Sequence, residues 1–98
     1  MNEIEEARKA REHVNRAALA QQVIGNSAYQ QAITMMKADC FTSFEKSEQG
    51  DSAHQNKIWL QMNAINELEA NLEYIMENGV FAQEELTRLQ RIKKNIGI

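Results

Sequence analysis

The stretch Asn56–Gly79, NKIWLQMNAINELEANLEYIMENG, decides the fold. Ile58, Met62, Ile65, Leu68, Leu72 and Ile75 recur at steps of four, three, three, four and three, the spacing of one face of an α-helix. Trp59 and Met76 flank that stripe, and Asp51 or Ser52 stands ahead of it as an N-cap. Asn78-Gly79 predicts where the helix stops, with Gly79 just past its C-terminus.

Working outward, Tyr29, Ile33, Met36, Cys40 and Phe44 recur at steps of four, three, four and four, with Ala32 and Phe41 widening the face. They predict a second helix over about residues 28–46. Only the polar run Ser47–Ser52 separates the two periodic segments, and so short a connection predicts an antiparallel helical hairpin. Gly25-Asn26-Ser27 marks an earlier break, with Gly25 ending one helix and Asn26 or Ser27 capping the next. Residues 2–24 read as a helix whose apolar stripe is thin: Ile4, Ala7, Val14, Ala17, Ala18 and then Val23 or Ile24. That stripe predicts loose packing, with the first half solvated, frayed or ordered only by a partner. Beyond Gly79, Phe81, Leu86, Leu89, Ile92 and Ile96 predict a short C-terminal helix with Lys93 and Lys94 in its last turn.

The expected fold is therefore all-α and a single domain. It is an elongated antiparallel helical hairpin over residues 26–79, with an additional N-terminal helix over 1–24 and a short basic C-terminal helix over 80–98. At about 1.5 Å per residue the long helix would run roughly 40 Å, against a radius of gyration near 13 Å for a compact ball of this chain length. Such a hairpin buries one stripe within itself and leaves another open. Homo-oligomerisation is the expected consequence, the alternative being a monomer that suffices alone. Phe41, Phe44, Trp59, Met62, Ile65, Leu68 and Leu72 are the expected oligomer or partner surface. Trp59 sits beside the stripe rather than on it, so it reads either as an interface anchor or as a rim residue packed near Phe41 or Phe44.

Composition supports helix and narrows function. The 98 residues include no Pro and four Gly, too few breakers for a turn-rich β fold. No apolar run is long enough to span a bilayer, and the charged start MNEIEEARKAREH is no secretory signal. The one cysteine, Cys40, reads as a buried structural thiol in a reducing, cytoplasmic setting. Net charge is −3, unevenly spread. Asp51, Glu67, Glu69, Glu73 and Glu77 face only Lys57 over residues 51–79, whereas Arg88, Arg91, Lys93 and Lys94 outnumber Glu84 and Glu85 in the tail. The acidic and basic stretches would attract each other, within a chain or between subunits, in a salt-dependent way.

Reactive patterns are missing. His13 and His54 read as exposed helical histidines without ligand spacing around them, and the glycines stand apart rather than forming a phosphate cradle. No catalytic residue, metal ligand or cofactor is expected. The basic set Arg88, Arg91, Lys93 and Lys94 is the candidate nucleic-acid contact, although cations also suit a helix C-terminus or the acidic long helix.

The run FTSFEKSEQGDSAHQNKIWLQMNAINELEANLEYIMENG resembles small helical proteins of tailed phages and prophages: a Phe-x-x-Phe helix end, a polar gap with Asp, then a long Trp-containing helix ending in Gly. Phe41, Phe44, Asp51, Trp59, Leu68, Leu72 and Gly79 carry the resemblance, over about residues 26–80. It implies a role in DNA packaging or virion assembly, with the small terminase subunit as the nearest family. Those proteins form rings of helical hairpins that regulate a large motor subunit and engage DNA. This chain departs from that pattern in having no evident N-terminal helix-turn-helix, so the resemblance implies a shortened oligomerising module rather than a reader of a packaging site. The expected protein is a non-catalytic homo-oligomeric adaptor whose partners are itself, a large motor subunit and DNA. The other expected role is a small phage inhibitor that binds and blocks a host defence factor, with Asp51, Glu67, Glu69, Glu73 and Glu77 as its acidic face.

Overall fold

The computed structural model describes residues 2–95, which form three α-helices: α1 (Glu3–Ile24), α2 (Ser27–Lys46) and α3 (Ser52–Asn95). The fold is all-α, as the periodicities require. Ile96 of the expected apolar line lies outside the described residues.

Each start is set by a side-chain cap. Asn2 Oδ1 accepts from the Glu5 amide at 2.8 Å, and Glu3, Glu5 and Glu6 fill the first turn of α1, where carboxylates suit the dipole. Asn26, rather than Ser27, caps α2 by accepting from the Tyr29 amide at 3.0 Å. Asp51, rather than Ser52, caps α3 by accepting from the His54 amide at 3.2 Å. The turn before α3 closes on itself: the Ser47 amide donates to Phe44 O at 3.1 Å, and Gln55 Nε2 donates to Ser47 Oγ at 3.2 Å. Gly50 takes φ +91 there, and among the described residues it alone has positive φ. Gly25 does not, so α1 ends without the left-handed residue expected of it.

The largest departure is at Gly79. The expected break is absent, and α3 runs unbroken through it for 44 residues to Asn95, so the separate C-terminal helix is the last part of α3. Glycine inside a helix costs roughly 1 kcal/mol relative to alanine. Its use here is spatial. A Cβ on Gly79 would stand 2.1 Å from Ala17 Cβ and 3.5 Å from the His13 carbonyl oxygen. Glycine is what lets the backbone of α3 approach α1.

The chain divides into two units: Ile24–Asn71, and Met1–Val23 together with Leu72–Ile98. The first is the antiparallel hairpin of α2 and the N-terminal part of α3. Ile33 and Cys40, two turns apart on α2, meet Ile58 and Ile65, two turns apart on α3, with Tyr29 and Met62 packed against them. Lys37 Nζ pairs with Glu69 Oε1 at 2.6 Å across the two helices. Half-exposed pairs of this kind contribute about 0–1 kcal/mol, so the apolar seam holds the hairpin.

In the second unit α1 lies against the C-terminal part of α3. Its interior is Ala10, Ala20, Gly79, Ala82 and Leu89, all buried. Ala17 and His13 are half-buried beside Gly79. The thin stripe of α1 is thus a close-packing surface. Alanine orders without side-chain entropy loss, and short side chains bring backbones into dispersion contact. The larger apolar residues of α1, Ile4 and Leu19, point outward.

Candidate interaction surface

The expected surface residues separate into four groups. Ile65 is buried in the hairpin core and Met62 is half-buried against it, so both hold α2 to α3. Leu72 falls in the other unit, half-buried. Phe41, Phe44 and Trp59 come together and stay open: they are 62%, 52% and 61% exposed and line one groove with Cys40, Gln55, Ile58 and Met62.

Helical geometry puts them there. On α2, Cys40 points into the seam, so Phe41 and Phe44 are rotated onto its flank; on α3, Ile58 does the same to Trp59. The two flanks lie on the same side of the hairpin, where Trp59 stands beside Phe41 and Phe44 and remains accessible. No charged side chain lines this groove.

A second groove of the hairpin, about 520 Å³, is lined by Met36, Asp39, Cys40, Ser43, Gln61, Ala64, Ile65 and Leu68. Leu68, 45% exposed, belongs there rather than with Trp59. Its Asp39 carboxylate distinguishes it from the aromatic groove.

The basic candidates also divide. Arg88 is engaged by Glu85, donating from Nε to Oε2 at 3.1 Å and from Nη2 to Oε1. The hydrogen bond from Arg88, then its charge, holds the Glu85 carboxyl below its ordinary value against the opposing effect of burial. Arg88 is pushed up by the hydrogen bond to Glu85 and by the charges of Glu85, Glu6 and Glu3. The acidic first turn of α1 therefore lies in the field of the basic end of α3, the arrangement expected of antiparallel helices with complementary ends. Arg91, Lys93 and Lys94 are exposed.

Ala10 and Ala20 are buried and His13 half-buried, positions that the apolar stripe of α1 does not include. Their signal was a four-three alternation, Glu6, Ala10, His13, Ala17 and Ala20, hidden because its members are small or polar. His54 is exposed as expected, whereas His13 is half-buried. Among the described residues no three His, Cys, Asp or Glu side chains cluster as a metal site would need, and no helix is long and apolar enough to cross a membrane. No family model matches the chain, and neither a curated protein nor a solved structure matches it.

Proposed function

We propose that the chain is a non-catalytic helical adaptor that acts as a homo-oligomer, in DNA packaging or virion assembly of a phage. The observation that carries the oligomeric part is the group Phe41, Phe44 and Trp59, more than half exposed along one groove that no charged residue lines. Isolated exposed apolar residues are ordinary on protein surfaces. Three adjoining aromatics are the composition of a binding site. The packaging part is supported by the resemblance to small terminase subunits. That support is narrower than the sequence suggests, because Gly79 does not end the long helix. Arg91, Lys93 and Lys94 are the exposed cations that would meet phosphate, with Arg88 held by Glu85.

The test is native mass by light scattering after size exclusion, over a range of concentration and salt, followed by anisotropy of labelled duplex DNA. A multiple of 11.2 kDa is expected, and so is DNA binding that weakens with salt and is lost on reversing Arg91, Lys93 and Lys94 to Glu. A monomer of 11.2 kDa at every concentration would overturn the oligomer and turn attention to the inhibitor role. Salt-insensitive or absent DNA binding would overturn the nucleic-acid contact.

A further inference from the structure

The position of the aromatic groove specifies how copies of the chain meet. We propose that two copies pair aromatic face to aromatic face about a two-fold axis, so that the hairpins of both form a four-helix bundle with Phe41, Phe44 and Trp59 at its centre. This rests on the oligomeric reading above and adds the surface, the symmetry and the number of copies.

Three observations point to a second copy as the occupant. The first is packing. The hairpin buries one seam, Ile33, Cys40, Ile58 and Ile65, and its second apolar flank, Phe41, Phe44 and Trp59, is left without an element to pack on. The second is area. Each aromatic side chain presents about 150–250 Å², so three that are more than half exposed leave on the order of 350 Å² open per copy. Paired, they would cover on the order of 700 Å² of the roughly 1,200–2,000 Å² that a stable interface buries. The aromatics alone supply about half of a standard interface, and large aromatics are the side chains that dominate such contacts.

The third is charge. Residues 24–71 hold three bases, Lys37, Lys46 and Lys57, against six acids, Asp39, Glu45, Glu48, Asp51, Glu67 and Glu69. Two such units repel wherever their charged surfaces meet. The aromatic groove has only Gln55 as a polar lining residue, so self-pairing there brings no like charges into the centre. The Asp39 groove would place that carboxylate in a self-pairing contact. The groove of the other unit, beside Ala17 and Gly79, is lined by no charged residue but has no aromatic anchor. A surface that pairs with its own copy about a two-fold axis closes at two subunits and does not extend into a filament.

Trp59 is the chain's one tryptophan, so its fluorescence reports on this contact directly. The experiment is sedimentation equilibrium over a wide concentration series, with tryptophan emission and acrylamide quenching recorded on the same samples. The proposal predicts a monomer–dimer equilibrium, with Trp59 emission moving to shorter wavelength and quenching falling as the dimer forms. Phe44→Glu combined with Trp59→Glu should weaken dimerisation by about a hundredfold or more, while circular dichroism shows helix retained, since both positions are exposed. Leu60→Glu, at an exposed position that does not line the groove, should leave the dimer unchanged. A dimer or larger assembly that survives the double substitution, with Trp59 fully quenchable throughout, would overturn the proposed face and leave self-association standing. A monomer at all concentrations would overturn both. A larger closed assembly that is lost with the double substitution would keep the face and overturn the two-fold pairing.

Discussion

The two units hold their helices together with opposite kinds of side chain. In the hairpin, α2 and α3 meet through branched and sulfur-bearing residues, Ile33, Cys40, Ile58 and Ile65, flanked by Tyr29 and Met62. In the other unit, α1 and α3 meet through Ala10, Ala17, Ala20, Gly79 and Ala82, with Leu89 as the large buried residue. The hairpin buries larger side chains and still leaves Phe41, Phe44 and Trp59 open. The alanine seam buries less and depends on proximity. How apolar a helix face is and how closely it packs are therefore separate quantities: the first governs what is left over for a partner, the second how little a substitution is tolerated.

Ile65→Ala should have the largest effect, about 2–5 kcal/mol lost in urea denaturation, since a buried branched side chain is replaced by a cavity. A loss below about 1 kcal/mol would mean that the hairpin seam collapses freely and is no better defined than the surface around it. Gly79→Ala comes next. Helix propensity alone predicts a gain of roughly 1 kcal/mol. A Cβ 2.1 Å from Ala17 Cβ predicts instead a net loss, of about 1–3 kcal/mol as for other overpacked sites. The sign decides between them, and Gly79→Ala combined with Ala17→Gly should recover part of the loss as a positive interaction energy in a double-mutant cycle.

Smaller effects sharpen the contrast. The Tyr29 hydroxyl is buried with no hydrogen-bond partner. Tyr29→Phe should hold stability or raise it by about 1 kcal/mol, and a loss of that size in thermal unfolding would reveal a partner for the hydroxyl. The Glu85–Arg88 pair gives the smallest effect because it is exposed. Its sign is fixed all the same. The folded carboxyl titrates below its ordinary value, so its contribution is present at neutral pH and is lost as pH falls through the depressed value. Glu85→Gln should lower the unfolding midpoint slightly at neutral pH and match the parent protein in acid. A constant gap at all pH values would assign the effect to something other than ionisation.

The hairpin was legible because large residues announce a helical face. Ile58, Ile65, Ile33 and Cys40 fell on the predicted stripes, and the polar run before Ser52 supplied the turn. The rest was hidden for two physical reasons. Alanine and glycine contribute little hydrophobicity, so the seam of α1 read as an empty surface and Gly79 as a stop. The residue that would have shown Gly79 to be a packing position, Ala17, lies far away in sequence. Of the residues expected at the surface, Phe41, Phe44 and Trp59 are exposed, but Met62 and Ile65 are not, because periodicity places a residue on a stripe without saying how deep the stripe goes. Charge had the same limit. Arg88 and Arg91 look alike in the sequence, and only the structure shows that Glu85, with Glu3 and Glu6 of α1, sets Arg88 apart.

The turn before α3 has a stereochemical consequence. A Cβ added at Gly50 would meet nothing within 4 Å, so size does not select the residue there. Its backbone angle does: φ +91 lies where a left-handed amino acid is strained and its mirror image is at ease. Among the described residues Gly50 alone takes a positive φ, between two right-handed helices. Chirality, rather than volume, polarity or charge, decides what can stand there.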